Sequence, residues 1–334
     1  MPKSPERTAG NLMRGEGRSS NQMVSVVIPA YNEEEAIERT VQIIREHLKQ
    51  CDIEYEILIV DDGSRDGTYG KVRKMAEAGV GIRGIRLSRN FGKEAAILAG
   101  LTAASGNAVI TIDADLQHPP DLIPEMIGRW RKGVRVVHGV KRQRPGDGFL
   151  ARRRAAIFNK VMTRFGGIDM ENASDFKLLD RVAVDLVVKH LRERSRFYRG
   201  LAQWVGYEQE SIPFDVKIRQ SGQGKWSLRS LADLGITAII SFTTDPLRIV
   251  MFLGIVTLGF AVVVATETFW SVYRGRSVSG FATIEITILL IGSFIMISLG
   301  ILGEYIAKIY EETKARPPYI VSSRCGFIDD EGPT

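Results

Sequence analysis

The stretch Thr111-Ile-Asp-Ala-Asp-Leu-Gln-His-Pro-Pro120 carries two carboxylates, one residue apart, directly after the apolar run Ala108–Ile112. A strand that leaves a hydrophobic core on two negative charges either surfaces into solvated acids or faces something positive. Residues i, i+2 and i+4 of an extended chain share a face. A strand over Ala108–Asp115 that stays extended would therefore group Asp113, Asp115 and Gln117. Three oxygen donors on one face suit a hard divalent cation, Mg²⁺ or Mn²⁺, whose shell is commonly completed by substrate phosphate oxygens. His47, His118, His138 and His190 are scattered, and Cys51 and Cys325 stand far apart, so nothing suggests zinc.

Working outward, β-branched and apolar runs alternate with helical patterns. Strands are predicted over Val24–Ala30, Glu54–Val60, Gly84–Ser88, Ala108–Asp115 and Val134–Val140. Helices are predicted from the acids at Asn32–Glu35 to Leu48, then over Thr68–Ala78, Lys93–Ala104 and Pro120–Lys132. That alternation predicts an α/β domain with a mainly parallel sheet, whose ligands collect beyond the carboxyl ends of the strands. Three strands end on polar clusters: Tyr31-Asn32-Glu33, Asp61-Asp62-Gly63 and Asp113-Ala114-Asp115. One acidic strand end is unremarkable; three on one edge describe a site. No G-x-G-x-x-G follows the first strand, which argues against a dinucleotide fold. Arg89-Asn-Phe-Gly-Lys-Glu94 has the look of a phosphate loop, but Glu94 stands in the Ser/Thr place and the leading Gly is misplaced.

The chain has 334 residues, 25% charged, with a formal net charge of +6, which suits anionic partners such as acidic lipid, phosphorylated substrates or nucleic acid. Two cysteines without metal spacing fit a reducing compartment rather than a disulfide framework. Residues 1–22 are polar, without an apolar segment, and are read as a disordered tail rather than a signal peptide. Within Phe149–Phe165, apolar positions recur at helical spacing among Arg152, Arg153, Arg154, Lys160 and Arg164. The periodicity fits equally a helix lying on a membrane surface and a core helix with a solvated face. Ile249–Thr266 and Ile286–Gly303 are each roughly 18 residues without a charge, near the length that crosses a bilayer. Trp270, Tyr273, Tyr305 and Tyr310 supply interface aromatics. Joined by a short loop, the runs predict a transmembrane hairpin, over 246–273 and 281–307. Lys225, Arg229, Arg248, Lys308, Lys314 and Arg316 outnumber Arg274 and Arg276 of the loop, which places the large domain in the cytoplasm.

The motifs VVIPAYNEEE (26–35), IVDDGSRDGT (59–68), LSRNFGKEAA (87–96), IDADLQHPP (112–120), SDFKLLDR (174–181), ERSRFYRGLAQWVGY (193–207) and GEYIAKIYEETKARPPYIV (303–321) follow in order. Together they resemble the polyprenyl-phosphate glycosyltransferases, membrane members of the family-2 GT-A enzymes that include dolichol-phosphate mannose synthase and bactoprenol glucosyltransferases. The resemblance spans about residues 23–322.

It implies a GT-A domain over 23–225, an interfacial helix over 226–245, the hairpin, and a cytoplasmic end over 308–334, in a multi-pass protein of a bacterial inner membrane. It implies inverting transfer of a hexose, glucose by overall similarity, from a UDP-sugar to undecaprenyl phosphate. By matching motif positions, Pro29, Tyr31, Glu33, Asp61, Asp62, Asp113, Ala114, Asp115, Arg219 and Lys225 would bind the donor. Asp113, Asp115 and Gln117 would hold Mg²⁺ or Mn²⁺. Asp175 would be the catalytic carboxylate, alongside Asp115; by position alone Asp175 also reads as a helix cap. Candidates for the acceptor phosphate are Lys141, Arg142, Arg144, Arg194, Arg196 and Arg199. Two positions depart from the pattern: Lys141 stands where relatives usually have Arg, and Gly224 where they have Ser or Thr. The resemblance also implies a homo-oligomer, a bilayer partner and no nucleic acid, and favours the interfacial reading of Phe149–Phe165. A non-catalytic sugar-nucleotide-binding scaffold and a processive polysaccharide synthase are the alternatives. The second needs a Q-x-x-R-W motif, which AQWVG (202–206) is not.

Overall fold

The computed structural model describes residues 22–79, 81–141, 173–190, 198, 207–215, 245–275 and 280–327. The chain alternates β1 (Met23–Ala30), α1 (Ile37–Lys49), β2 (Glu54–Asp61), α2 (Thr68–Ala78), β3 (Ile82–Leu87), α3 (Lys93–Ala103) and β4 (Ala108–Thr111). A single 3₁₀ turn (Pro120–Leu122), α4 (Ile123–Arg131), β5 (Val136–Lys141), β6 (Ala173–Asp180), α5 (Arg181–Asp185), a π-turn (Leu186–His190) and β7 (Gln209–Phe214) follow. Two long helices, α6 (Asp245–Tyr273) and α7 (Phe281–Thr313), precede a last strand, β8 (Val321–Cys325). The described strands form one eight-stranded sheet in the order β7-β5-β6-β4-β1-β2-β3-β8. β4, β1, β2 and β3 run parallel, while β6 and β8 are antiparallel to the strands they meet. The α/β class and mainly parallel sheet agree with the sequence reading.

β1 shows why the sheet is two-sided. Val24, Val26 and Ile28 meet Ile37, Val41 and Ile44 of α1 and Met126 and Trp130 of α4 on one face. Val27, on the other, packs with Ala96, Ile97, Ala99 and Leu101 of α3. A strand covered on both faces has no polar side to show, so β1 reads as a continuous apolar run. α3 approaches closely at Gly100, where an added Cβ would lie 2.2 Å from Val27 Cγ1.

Several boundaries differ from expectation. β4 ends at Thr111 instead of Asp115. Thr40 of α1 donates its hydroxyl to the Ala114 carbonyl (2.7 Å), and the Asp115 carboxylate accepts the Gln117 amide (3.1 Å). This Asx turn, with Leu116 at φ +56°, curls the chain away from the sheet. Asp113, Asp115 and Gln117 therefore do not share one extended face. α1 starts at Ile37 rather than among the acids, because the Glu33 carbonyl accepts the Ala36 and Ile37 amides in a turn that comes first. Residues 1–21, 149–165 and 226–244, for which a tail and two interfacial helices are expected, lie outside the described residues.

Two compact units result, one holding the sheet with α1–α5 and β8, the other α6 and α7. The second contains two apolar segments, Phe252–Ser271 and Leu290–Tyr310, with mean hydropathies of 1.9 and 1.8 and no share buried. At 1.5 Å per residue each is about 30 Å long, the thickness of a hydrocarbon core. Phe252, Leu258, Val263, Met296 and Ile306 stand exposed, so these are not core helices of a soluble domain. Because β8 follows α7 and pairs with β3, the helix pair is an insertion between strands of one sheet.

At one side of the sheet, His138 of β5 is buried and its Nε2 lies 2.7 Å from Gln209 Oε1 of β7. Burial, then the Lys177 ammonium, pushes its pKa from 6.5 down to about 4, against the pull of Gln209. The unfolded chain thus binds this proton at higher pH than the folded protein. The stabilisation is complete above the unfolded value and is lost as pH falls from 6.5 toward about 4, at up to about 1.4 kcal/mol per pH unit. Thermal unfolding in detergent across that window should show the decline, and His138→Gln should flatten it.

Candidate active site

Beyond the carboxyl ends of β1, β2 and β4 lies a cavity of about 310 Å³, lined by Pro29, Ala30, Tyr31, Glu33, Asp62, Asn90, Gly92, Lys93, Ala96, Asp113, Ala114 and Asp115. Its walls are loops that bind one another. The Asn32 amide donates to Ser64 Oγ (2.9 Å), the Glu33 amide to Thr68 Oγ1 (2.9 Å), and the Gly67 amide to Glu34 Oε2 (2.9 Å). Asn32 sits at φ +54°, a left-handed turn that Asn tolerates, where the chain leaves β1. The turn after β4 is pinned to α1 through the Ala114 carbonyl, so both acids of the D-x-D reach the cavity.

The paired acids of β2 divide their work. Asp61 is fully buried; its Oδ1 accepts the Ser64 amide (3.1 Å), and its Oδ2 lies 3.3 Å from Arg86 Nε. It does not line the cavity. Asp62 does, yet its carboxylate accepts the Phe91 amide (2.8 Å) and the Gly92 amide (2.9 Å). Burial pushes both carboxyls above the usual range, more strongly than their hydrogen bonds pull them down. Gly92 sits at φ +98°, where a side chain would be strained, and α3 starts at the next residue.

That next residue is Lys93. Its Nζ lies 2.6 Å from Asp113 Oδ1 and 2.6 Å from Asp175 Oδ2. Burial opposes its charge, but Asp175 and then Asp113 outweigh that and raise its pKa. Asp175 is an inner residue of β6, not a helix cap. Its carbonyl accepts the Thr111 hydroxyl, whose oxygen is 3.1 Å from the OH of buried Tyr198. His118, buried, stacks on Phe176 with its ring edge-on to Phe214, and its Nδ1 lies 3.5 Å from Asp113 Oδ2.

The cavity therefore gathers Pro29, Tyr31, Glu33, Asp62, Asp113, Ala114 and Asp115 from the expected set, with Asp175 joined to it through Lys93. It leaves out Asp61 and Gln117. Lys141 ends β5, and Arg142, Arg144, Arg194, Arg196, Arg199, Arg219 and Lys225 lie outside the described residues. Sequence reasoning missed Asn90, Gly92, Lys93 and His118. A signal for the first three existed: Asn-Phe-Gly-Lys sits between a strand and a helix at the same sheet edge, whatever its failure as a phosphate loop.

Among the described residues no group of three or more His, Cys, Asp or Glu is arranged to hold a metal. Asp113 and Asp115 nevertheless offer hard oxygen donors in an open cavity, the donor set that Mg²⁺ or Mn²⁺ takes when substrate oxygens complete its shell. An acid-lined cavity also repels an anionic ligand unless a cation enters with it.

Replacing Asp62 by Asn would set an amide NH₂ against one of two part-buried N–H donors. Asp62→Asn should lower stability by about 1–3 kcal/mol and speed hydrogen exchange at Phe91 and Gly92, read by mass spectrometry.

The family model for glycosyl transferase family 2 matches residues 25–185. An uncharacterized glycosyltransferase of Synechocystis is 41% identical, covering 91% of this chain and 96% of its own length. A prophage bactoprenol glucosyl transferase homolog of Escherichia coli is 36% identical over 89% of this chain and 98% of its own. Among solved structures, a glucosyl-3-phosphoglycerate synthase from Mycobacterium tuberculosis, crystallised with Mn²⁺, uridine diphosphate and phosphoglyceric acid, is 20% identical with a TM-score of 0.45. It covers 67% of this chain and 78% of its own, a likeness too slight to carry weight. On the full-length likeness to these relatives and the match over its sheet domain, the chain belongs to glycosyl transferase family 2.

Proposed function

We propose that the protein transfers a hexose, glucose as the first choice, from a UDP-sugar to a membrane polyprenyl phosphate, with inversion at the anomeric carbon. The observation that carries this reading is an acid-lined cavity in a chain with two span-length apolar helices. Relatives called bactoprenol glucosyl transferases, matched over nearly their whole length, support it.

Tyr31, 41% exposed at the end of β1, offers a face on which a base can stack, beside Pro29 and Glu33. Asp62 acts on the donor indirectly, by holding the 91–92 loop against the cavity. Asp113 and Asp115 would hold Mg²⁺ or Mn²⁺, which supplies positive charge opposite the leaving diphosphate. The acceptor is a phosphate monoester with a second pKa of about 6, already anionic at neutral pH. No strong general base is then needed, and the enzyme's task is positioning and exclusion of water. Asp175, held in a strand, orients the acceptor phosphate or the sugar. Arginines among Arg142, Arg144, Arg194, Arg196 and Arg199, with Lys141, would hold the acceptor phosphate, and Arg219 and Lys225 would close on the donor.

A polyprenyl tail cannot leave the bilayer, so an enzyme anchored there meets its acceptor in two dimensions. A helix pair inserted between two strands of one sheet keeps that sheet on one side of any membrane it crosses. The basic residues outside the short loop put that side in the cytoplasm.

Purified protein with radiolabelled UDP-glucose, Mg²⁺ and undecaprenyl phosphate should move label into an organic-extractable, mild-acid-labile lipid. Binding of the nucleotide without turnover would instead mark a scaffold. Asp115→Ala should abolish transfer in a folded protein. Asp175→Asn should cut kcat by about 100-fold or more while leaving UDP affinity within about threefold; equal losses in both would reduce Asp175 to a structural role.

A further inference from the structure

Lys93 is the one cationic side chain among the described residues that line the cavity. It stands at one of the two acids expected to hold a metal: its ammonium lies between Asp113 and Asp175, 2.6 Å from each. Its two ends are unequal. Asp175 is 5% exposed and belongs to β6, whereas Asp113 is 23% exposed and lies in the curled segment after β4. The Lys93 side chain itself is 39% exposed on a flexible stem, so its tip can shift. Its backbone cannot shift so easily, because Asp62 grips both preceding amides and Gly92 takes the strained turn.

We propose that Lys93 is the resident cation at Asp113, one of the two carboxylates expected to hold the metal. It clamps Asp113 to Asp175 in the empty enzyme, yields Asp113 when a divalent ion binds, and remains with Asp175 as its positioning partner. The proposal rests on the glycosyltransferase reading and extends it to how the site stays assembled between turnovers. Without the ammonium the two carboxylates would repel, and Asp175 would lose its orientation. The same ammonium competes with an incoming metal for Asp113. Removing it must therefore change metal binding and catalysis in opposite directions, which a merely loosened fold would not do.

The test is Mn²⁺ titration of the full-length protein in detergent, without nucleotide, with free Mn²⁺ read by electron paramagnetic resonance. Lys93→Met should bind Mn²⁺ at least about fivefold more tightly than the wild type, the size of one partly exposed ion pair. Its transfer rate should meanwhile fall by about 100-fold or more. Lys93→Arg keeps the charge and should stay within about twofold of wild-type Mn²⁺ affinity and regain part of the rate. Unchanged or weaker Mn²⁺ binding by Lys93→Met, or no binding by either protein, overturns the proposal. If the Met variant does not fold, Lys93→Gln is held to the same outcomes. A wild type that binds Mn²⁺ but forms no lipid-linked sugar would sink the functional reading instead, and the affinity comparison would still decide the role of Lys93.

Discussion

Two ionised carboxylates brought together in a partly desolvated cavity repel, unless a cation stands between them or one takes up a proton. Asp113 follows β4 and Asp175 lies in β6, and Lys93 joins them at the start of α3. The rest of the site follows from putting that ammonium in place. β3 must deliver the chain to the same sheet edge, Gly92 must turn it, and Asp62 must hold the turn by two amides. One side chain of the second acidic motif thus aims a residue of the third motif at acids of the fourth and fifth. The motifs are far apart in the chain but form a single electrostatic circuit.

The sheet supplies the rigidity this circuit needs. β1, β2 and β4 are adjacent and parallel, so their carboxyl ends lie side by side and their loops can bind one another. The Thr40 side chain of α1 reaches the turn after β4, and Tyr198 meets Thr111 beside the Asp175 carbonyl. Polar groups near the cavity are therefore tied from more than one element. Such ties hold the acids in place, and for Asp61 and Asp62 they partly offset the burial that raises both carboxyls above the usual range.

The helix pair shows a different economy. The sheet domain hides its apolar residues between layers, whereas α6 and α7 expose theirs along their length. Length and charge depletion alone mark both segments as long and apolar enough to cross a bilayer, which imposes a thickness and a polarity rather than a partner. Inside the sheet domain, two boundaries depended on contacts between elements. α1 begins after a turn organised by the Glu33 carbonyl, and β4 stops where Thr40 captures the Ala114 carbonyl.

Local pattern determined the α/β class, the parallel core strands, the acidic strand ends and the apolar helix pair. Each of these depends on periodicity or composition within a short window. The division of labour among similar acids was decided by tertiary structure. Asp61 and Asp62 are neighbours of the same type, yet strand alternation sends one into the sheet's interior against Arg86 and the other toward the 91–92 loop. The Asx turn at Asp115 removed the shared face that strict extension would have given Asp113, Asp115 and Gln117. The sequence could put Lys93 at the right sheet edge but not between its two acids, for the same reason. Its importance lies in two carboxylates brought to it by folding, and charges distant in sequence interact only once the chain has placed them within a few ångströms.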